Sequence, residues 1–370
     1  MKWNWKKIVA AITGCVIFAA ILIYSNDITK TELISTEGQS YEKAVVTKIT
    51  KDNLQEDGNR YGNQEVILKM NSGELKGKEV EATSPNGTLF GADCTEGMHI
   101  IAIVSIAEGE NVVTVYSQDR TWAIYGFLAV FMLIVCLIGG KKGIKAILSL
   151  IFTGVTILYL LFPLIYRGYS PILVTLLICA LATIFTMLMI GGISSKTVAA
   201  TIGTTCGVAA AGLAALAFGH FAGITGYNVS DIETLSYVAQ NTPIKIGELL
   251  FSGIILSALG AVMDVGMSIA STLQEIHETD PDMGKSQLFL SGIHVGRDMM
   301  GTMVNTLILA YVGGSLTTLM TNYAYNLSYN QLMNSYIIGI EIMQGLAGSL
   351  GVVLTVPITA AIAVKLIYRK

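Results

Sequence analysis

Hydrophobic residues occur in eight long runs that are separated by polar stretches. The first run covers residues 5–24, and the others cover about 121–139, 144–162, 171–190, 198–219, 246–271, 293–320 and 335–367. An α-helix needs about 20 apolar residues to cross a bilayer. The last three runs are longer, so we expect those helices to tilt, kink or extend beyond the bilayer. The pattern predicts an α-helical polytopic membrane protein with about eight transmembrane helices.

Residues 28–119 follow a different pattern. This segment contains five short runs rich in β-branched residues, some of them alternating with polar residues, and glycines lie between the runs. The runs are near residues 44–49, 65–70, 78–82, 99–104 and 112–116. Five such runs predict a small all-β domain, an OB-like barrel or a sandwich. The chain is thus divided into an N-terminal transmembrane anchor (1–27), a β domain (28–119) and a seven-helix transmembrane domain (120–370). The first run lacks a small-x-small cleavage pattern, which favours an uncleaved anchor over a signal peptide.

Composition agrees with a membrane environment. The chain is 52% hydrophobic and 13% charged, whereas soluble domains carry about 25% charged residues. The β domain lacks the stacking aromatic residues and basic groove with which OB folds hold single-stranded nucleic acid. The lipid bilayer is therefore the expected partner, no nucleic acid is expected, and the β domain is predicted to be structural or to contact protein.

Basic residues predict the orientation. One set of loops and ends carries most of them: Lys141, Lys142, Lys145, Lys196, Lys285, Arg297, Lys365, Arg369 and Lys370. The opposite loops carry only Arg167 and Lys245. Because cytoplasmic loops are enriched in Lys and Arg, both termini are predicted to be cytoplasmic and residues 28–119 extracytoplasmic.

Asp264 is the ionisable residue placed deepest in a predicted span. Such a residue is costly in the bilayer and often marks an ion or proton pathway. Ser268 lies one turn further along the same helix. In the next run Arg297, Asp298, Thr302, Asn305 and Thr306 are expected to form a polar stripe. This arrangement predicts an ion- or proton-binding site centred on Asp264, or a hydrogen-bonded cluster that only joins two helices.

Two further polar residues, Glu341 and Gln344, lie in the outer third of the last span and are included among the ion-binding candidates. Five methionines, Met263, Met267, Met299, Met300 and Met303, lie near Asp264. They fit core filling better than a copper site, because methionine is a flexible apolar filler. No CxxC motif, nucleophile triad or phosphate-binding loop appears, so no metal, cofactor or enzymatic activity is predicted.

Small residues repeat every four positions in the fifth run: Gly203, Gly207, Ala211, Ala215 and Gly219. On a helix they form one smooth face that lets another helix approach closely. This face is predicted either to pack within the chain or to join a second copy or a related membrane protein.

Two blocks carry a family resemblance. Gly260–Ser271 and Ser291–Gly313 resemble the YibE/YibF family of bacterial multispan membrane proteins, as does the layout of anchor, β domain and helices. The resemblance implies a multi-pass protein of the bacterial plasma membrane. The last three helices also distantly resemble the proton-handling helices of RND-superfamily and SecD/SecF-type proteins, which implies proton coupling.

The sequence therefore predicts a membrane transporter or export-associated permease, coupled to protons or another cation, with Asp264 as the carrier. The alternative is a non-transporting scaffold whose β domain docks a partner complex of the cell envelope. The sequence leaves the substrate open.

Overall fold

The computed structural model describes residues 5–34, 36–56, 59–85, 91–107, 110–229 and 231–369. By contacts the chain divides into two compact units. One unit spans Glu32–Val135, which covers most of the predicted β domain and the residues up to the middle of the next hydrophobic run. The other unit combines the residues up to Thr31 with those from Cys136 onwards.

The first unit contains a closed five-stranded barrel. Its strands are β1 (Gln39–Lys51), β2 (Gln64–Met70), β3 (Glu79–Ser84), β4 (His99–Ala107) and β5 (Glu110–Gln118), in the order β1-β2-β3-β5-β4. All pairings are antiparallel except β3 with β5. Inward side chains alternate along the strands, as with Val66, Leu68 and Met70 of β2, and they form one core. The predicted five-stranded β domain is confirmed as a small barrel.

A polar network holds the loop between β1 and β2 against the barrel. The Arg60 guanidinium donates to Asp52 Oδ1 at 2.6 Å and to Asn53 Oδ1 at 2.8 Å. The buried Gln64 amide donates to Asp52 Oδ1 at 3.0 Å, and its carbonyl accepts from Cys94 N at 2.8 Å. Burial alone would raise the pKa of Asp52, but the hydrogen bonds from Arg60, Gln64 and Asn53 and the Arg60 charge lower it overall.

The remaining elements are helical. They are α1 (Trp5–Asn26), α2 (Thr121–Thr156), a π-helical turn (Ile157–Leu161), α3 (Phe162–Tyr166), α4 (Pro171–Gly191), α5 (Ser195–Ala222), α6 (Ile232–Asn241), a 3-10 turn (Ile246–Glu248), α7 (Leu249–Thr279), α8 (Lys285–Gly314), α9 (Leu316–Ala324), α10 (Tyr329–Met333) and α11 (Tyr336–Ile367).

Five helical segments of the described chain are long and apolar enough to cross a membrane: Thr121–Tyr166, Pro171–Gly191, Ser195–Ala222, Ile246–Thr279 and Tyr336–Ile367. A sixth would be α8 with α9, which are bent by 61°. Two predicted runs, 121–139 and 144–162, fall in one segment that is interrupted at Gly140, whose φ is 52° and ψ −131°. The structure thus supports a helical membrane protein, and the count of eight spans stays a prediction.

In the second unit, α5 packs closely on α11. The small-residue face of α5 lies on α11 in an antiparallel register, in which Gly203 meets Thr359, Gly207 meets Thr355 and Ala211 meets Gly351. A β-carbon on Gly207 would overlap Thr355 Oγ1 and lie 2.9 Å from Val262 Cγ1.

The small-residue stripe of α5 is therefore used for packing inside the chain. The residues Gly203, Gly207 and Ala211 are all buried. Association with a second copy or a related membrane protein stays a prediction, and it would require α11 to leave this face.

Side-chain contacts show the helix directions. Ser170, which caps α4, donates to the Glu248 carboxylate at the start of α7. Tyr368, just past α11, donates to the Met283 carbonyl just past α7. Helices α4, α7 and α11 thus run in one direction, and α5 and α8 run in the other. We name the two ends of the bundle the Glu248 end and the Tyr368 end.

The N-terminal helix α1 docks at the Glu248 end. Asn26 Nδ2 donates to the Tyr159 carbonyl at 2.7 Å, inside the π-helical turn. The Arg167 guanidinium donates to the carbonyls of Tyr24 and Asp27 and lies 4.3 Å from the centre of the Tyr24 ring. A cation at a helix C-terminus is favourable, because the last carbonyl groups there lack partners within the helix.

We expect Gly207→Ala to destabilise the protein by roughly 1–3 kcal/mol, because overpacking a close contact forces the backbones apart. Gly260→Ala is the matched control: no atom lies within 4 Å of a β-carbon there. Alanine is also the better helix former, by up to about 1 kcal/mol. Thermal unfolding in detergent should show a lower melting temperature for the first variant only. Equal melting temperatures would contradict the close-packed interface.

The Asp52 network should make the barrel sensitive to acid. A carboxyl group whose pKa is lowered by folding contributes stability above its ordinary pKa of about 3.9, and this stability is lost as the pH falls further. Asp52→Asn should remove part of that acid dependence, whereas Glu81→Gln, exposed on β3, should not. Cleavage of the β1–β2 loop by an acid-active protease, followed from pH 6 downwards, measures the effect. The same pH profile for Asp52→Asn and the unmodified chain would contradict it.

Candidate functional site

Asp264 lies on the face of α7 that is turned away from the core. It follows Leu249, the first residue of α7, by fifteen residues, which places it about 22 Å along the helix. Gly253, Ser257 and Gly260 share its exposed face, and β-carbons on both glycines would have no neighbour within 4 Å. Among the described residues, none forms a hydrogen bond or ion pair with the Asp264 carboxylate.

The level of Asp264 relative to α8 follows from two contacts. Tyr311 Oη donates to Ser257 Oγ at 2.8 Å, and a β-carbon on Gly292 would lie 3.0 Å from Leu273 Cδ1. Since the two helices are antiparallel, Asp264 lies level with the stretch of α8 just before Asn305. The register therefore brings Asp264 and Asn305 to nearly the same level.

The structure does not join the polar residues of α8 to Asp264 by hydrogen bonds. Arg297, Asp298, Thr302, Asn305 and Thr306 are exposed on the face of α8 away from the core. The hydroxyl groups of Thr302 and Thr306 donate to carbonyls of their own helix. The opposite face of α8 packs on α11, where Gly296 faces Val356 and Gly292 faces Ala360.

The other candidates occupy different positions. Ser268 is half-buried one turn beyond Asp264. Glu341 and Gln344 are half-buried near the Glu248 end. A β-carbon on Gly348 would lie 3.8 Å from that of Ala258, and this contact aligns α11 with α7. Glu341 is then about 20 Å from Asp264 along the helix axes at 1.5 Å per residue. The predicted site residues therefore lie at two separate levels.

Glu248 has a structural role at the start of α4. Its carboxylate accepts a hydrogen bond from Ser170 Oγ and lies 3.5 Å from Ile172 N, at the start of α4. Negative charge is favourable there, because the first N–H groups of a helix lack partners within the helix. In the sequence, the start of α4 could have been predicted from Ser170 and Pro171, because a serine cap followed by proline is typical of the first residues of a helix.

The five methionines near Asp264 pack at the edge of the main hydrophobic core, where Met263, Met267, Met299, Met300 and Met303 are partly buried. Thr204 of α5 and Thr359 of α11 are buried, and their hydroxyl groups bond to no described residue. These threonines were not singled out from the sequence, since mid-helix threonines usually bond their own backbone.

A chain that contains a bundle of long apolar helices and a separate five-stranded barrel is a helical membrane protein with a small β domain. Residues 127–369 match the model of the family described as YibE/F-like protein. The chain belongs to this YibE/F-like family, as the two sequence blocks predicted.

Further comparisons add no relatives. No curated protein and no solved structure matches the chain. The distant likeness to RND and SecD/SecF-type proteins is not confirmed by these comparisons.

The Tyr311–Ser257 hydrogen bond should be measurable as a coupling between α8 and α7. In a double-mutant cycle with Tyr311→Phe and Ser257→Ala, we expect a coupling energy of about 0.6 kcal/mol, the average for helix–helix hydrogen bonds in membranes. Thermal unfolding of the single and double variants measures it. Additive effects of the two changes would contradict the register on which the level of Asp264 rests.

Proposed function

We propose that this protein is a membrane transporter or export-associated permease of the bacterial plasma membrane, coupled to protons or another cation, with Asp264 as the carrier. The supporting observation is the Asp264 carboxylate, which lies about halfway along the long apolar helix α7 and has no bonding partner among the described residues. A carboxylate placed within a span is expensive unless it is protonated, hydrated or paired. A group that alternates between these states can carry a proton or a cation.

The face around Asp264 is suited to this role. Gly253, Ser257 and Gly260 carry no bulky side chain, so the face leaves room for water or for a moving partner group. Asn305, Thr302 and Thr306 on the neighbouring helix would tune the site. In this proposal the protein has eight spans with both termini cytoplasmic, because the basic residues favour that orientation.

The function is tested by reconstituting the full chain in proteoliposomes with an internal pH dye. Under an imposed membrane potential, we expect Asp264→Asn to reduce proton uptake at least about tenfold, because an amide does not take up a proton at neutral pH. Asp282→Asn, which changes an exposed carboxylate outside the helices, is the matched control and should keep the flux. Asp264→Glu should retain part of it.

The assignment of Asp264 fails if Asp264→Asn transports as well as the unmodified chain. Flux should also be compared with sodium in place of protons, since either cation fits an oxygen-lined site. If the chain transports neither protons nor sodium, the result favours the second candidate function.

The second candidate is a scaffold whose barrel docks a partner protein. It is favoured by an aromatic pair on the barrel, Tyr41 and Tyr116, whose ring centres are 5.3 Å apart in an edge-to-face arrangement. Tyr41 is 55% exposed, and exposed aromatic groups are common anchors in protein interfaces. Loss of a co-purifying partner on removal of residues 30–118, with transport retained, would favour docking by the barrel. A stable partner without any transport would favour the scaffold.

A further inference from the structure

One open face of the helical unit is formed jointly by α7 and α8. We name it the α7–α8 face and define it by exposed residues of both helices: Gly253, Ser257, Gly260 and Asp264 of α7, and Arg297, Gly301, Thr302 and Asn305 of α8. The two parts adjoin, because Ser257 accepts a hydrogen bond from Tyr311 of α8. Tyr311 in turn follows Arg297 by about four helical turns, so both lie on nearly the same side of α8.

A polar face of this kind is costly against lipid. Asp264 lies about halfway along α7, which is apolar enough to cross a membrane. Arg297 and Asn305 lie on α8, which together with α9 forms a sixth candidate span. Charged residues within a span are expensive, and they almost always face protein or a water-filled space. The face therefore needs a cover other than lipid.

The two helices cannot turn these groups inward without losing their present packing. The opposite side of α7 lies on α5, where a β-carbon on Gly266 would be 2.7 Å from Thr204 Oγ1. The opposite side of α8 lies on α11, where a β-carbon on Gly296 would overlap Val356 Cγ1. Contacts as close as these leave no room for either helix to rotate. The α7–α8 face thus stays outward and has to be covered by another surface.

The face is complementary to itself. Its α7 part presents the Asp264 carboxylate, which accepts hydrogen bonds, and its α8 part presents the Asn305 amide, which donates them. Asp264 and Asn305 lie at nearly the same level of the bundle. A twofold axis along the membrane normal keeps every residue at its level, so α7 of one copy meets α8 of the other with these two groups opposite each other. A surface that carries both halves of a pairing at matching levels selects a second copy of the same chain.

Small residues allow the second copy to come close. β-carbons on Gly253, Gly260 and Gly301 would have no neighbour within 4 Å, so nothing in the described chain fills the space above them. Small residues three or four positions apart let membrane helices approach closely, and polar side chains then form hydrogen bonds between the helices. This surface is separate from the small-residue face of α5, which is buried against α11.

We propose that the α7–α8 face is the interface of a homodimer, in which the amide of the partner's Asn305 donates a hydrogen bond to the Asp264 carboxylate. The twofold symmetry forms this contact twice, and each Asp264 site is complete only in the dimer. The part that this contact plays at the carrier rests on the proposed function, whereas the dimer itself does not.

Crosslinking in membranes tests the interface. All five cysteines are replaced by alanine, and two differently tagged chains then carry Gly260→Cys and Leu309→Cys. These positions are exposed on α7 and α8 and lie within about one turn of each other in level. Mild oxidation should produce a disulfide between the two tagged chains.

The matched control for crosslinking is Leu354→Cys. Leu354 is exposed on α11, on the side turned to neither α7 nor α8. It follows Gly348 by six residues, as Asp264 follows Ala258, and the contact of Gly348 with Ala258 therefore places it at the level of Asp264. The Leu354→Cys chain should not form a disulfide with the Gly260→Cys chain.

A second measurement tests the contact between Asp264 and Asn305. Chains labelled with a donor or an acceptor dye are mixed in liposomes of phosphatidylethanolamine and phosphatidylglycerol, and energy transfer is followed as added lipid dilutes the protein. Asn305→Leu should weaken dimerisation at least about fivefold, because two symmetric hydrogen bonds are lost. Asn330→Leu, the same change at an exposed residue of α10, should leave dimerisation within about twofold.

The dimer is overturned if the unmodified chain stays monomeric at the highest ratio of protein to lipid, which would indicate that a different protein covers the face. It is also overturned if the Gly260→Cys chain crosslinks as readily with Leu354→Cys as with Leu309→Cys. Unchanged dimerisation of a folded Asn305→Leu variant would overturn the contact with Asp264. Melting temperatures establish which variants are folded, and energy transfer between unmodified chains decides on the dimer even if none is.

Neither measurement requires transport. A chain that dimerises through this face but moves no proton or sodium fails only the proposed function. A chain that transports as a monomer overturns only the dimer.

Discussion

The close approach of α5 and α11 is the contact on which the helical unit depends. Gly203, Gly207 and Gly351 bring the two backbones together where any side chain would collide, and Thr355 and Thr359 occupy the space that the glycines leave. In a bilayer there is little hydrophobic force between helices, so association rests on such close van der Waals packing. Helix α7 completes this core from the side, because Val262 contacts Gly207 and Gly351.

This packing decides which faces of the other helices remain open. Since the apolar face of α7 is occupied by α5 and α11, Asp264 is left on the outward face together with Ser257 and Gly260. Helix α8 likewise turns Gly292 and Gly296 to α11 and its polar residues away. The polar stripe is thus at the surface of the described bundle, where water, lipid or a further helix can reach it.

Three acidic residues of the helical unit have different surroundings, and this separates their roles. Glu248 is bound by Ser170 at a helix start and joins α4 to α7. Asp264 is exposed and unpaired within the described chain, on a long apolar helix. Glu341 is half-buried near the Glu248 end. Glu248 thus contributes to the packing of α4 against α7, whereas Asp264 and Glu341 have no bonding partner among the described residues.

The sequence by itself determined the membrane character, the five strands and the family, because hydrophobic runs, short alternating strands and long sequence blocks are local signals. It also identified the small-residue face of α5. Only the tertiary structure decided three other features: the helix that packs on the small-residue face of α5, the structural role of Glu248, and the separation of Glu341 from Asp264. Each depends on how one helix is aligned with another, and residue spacing within a single helix carries no information on that alignment.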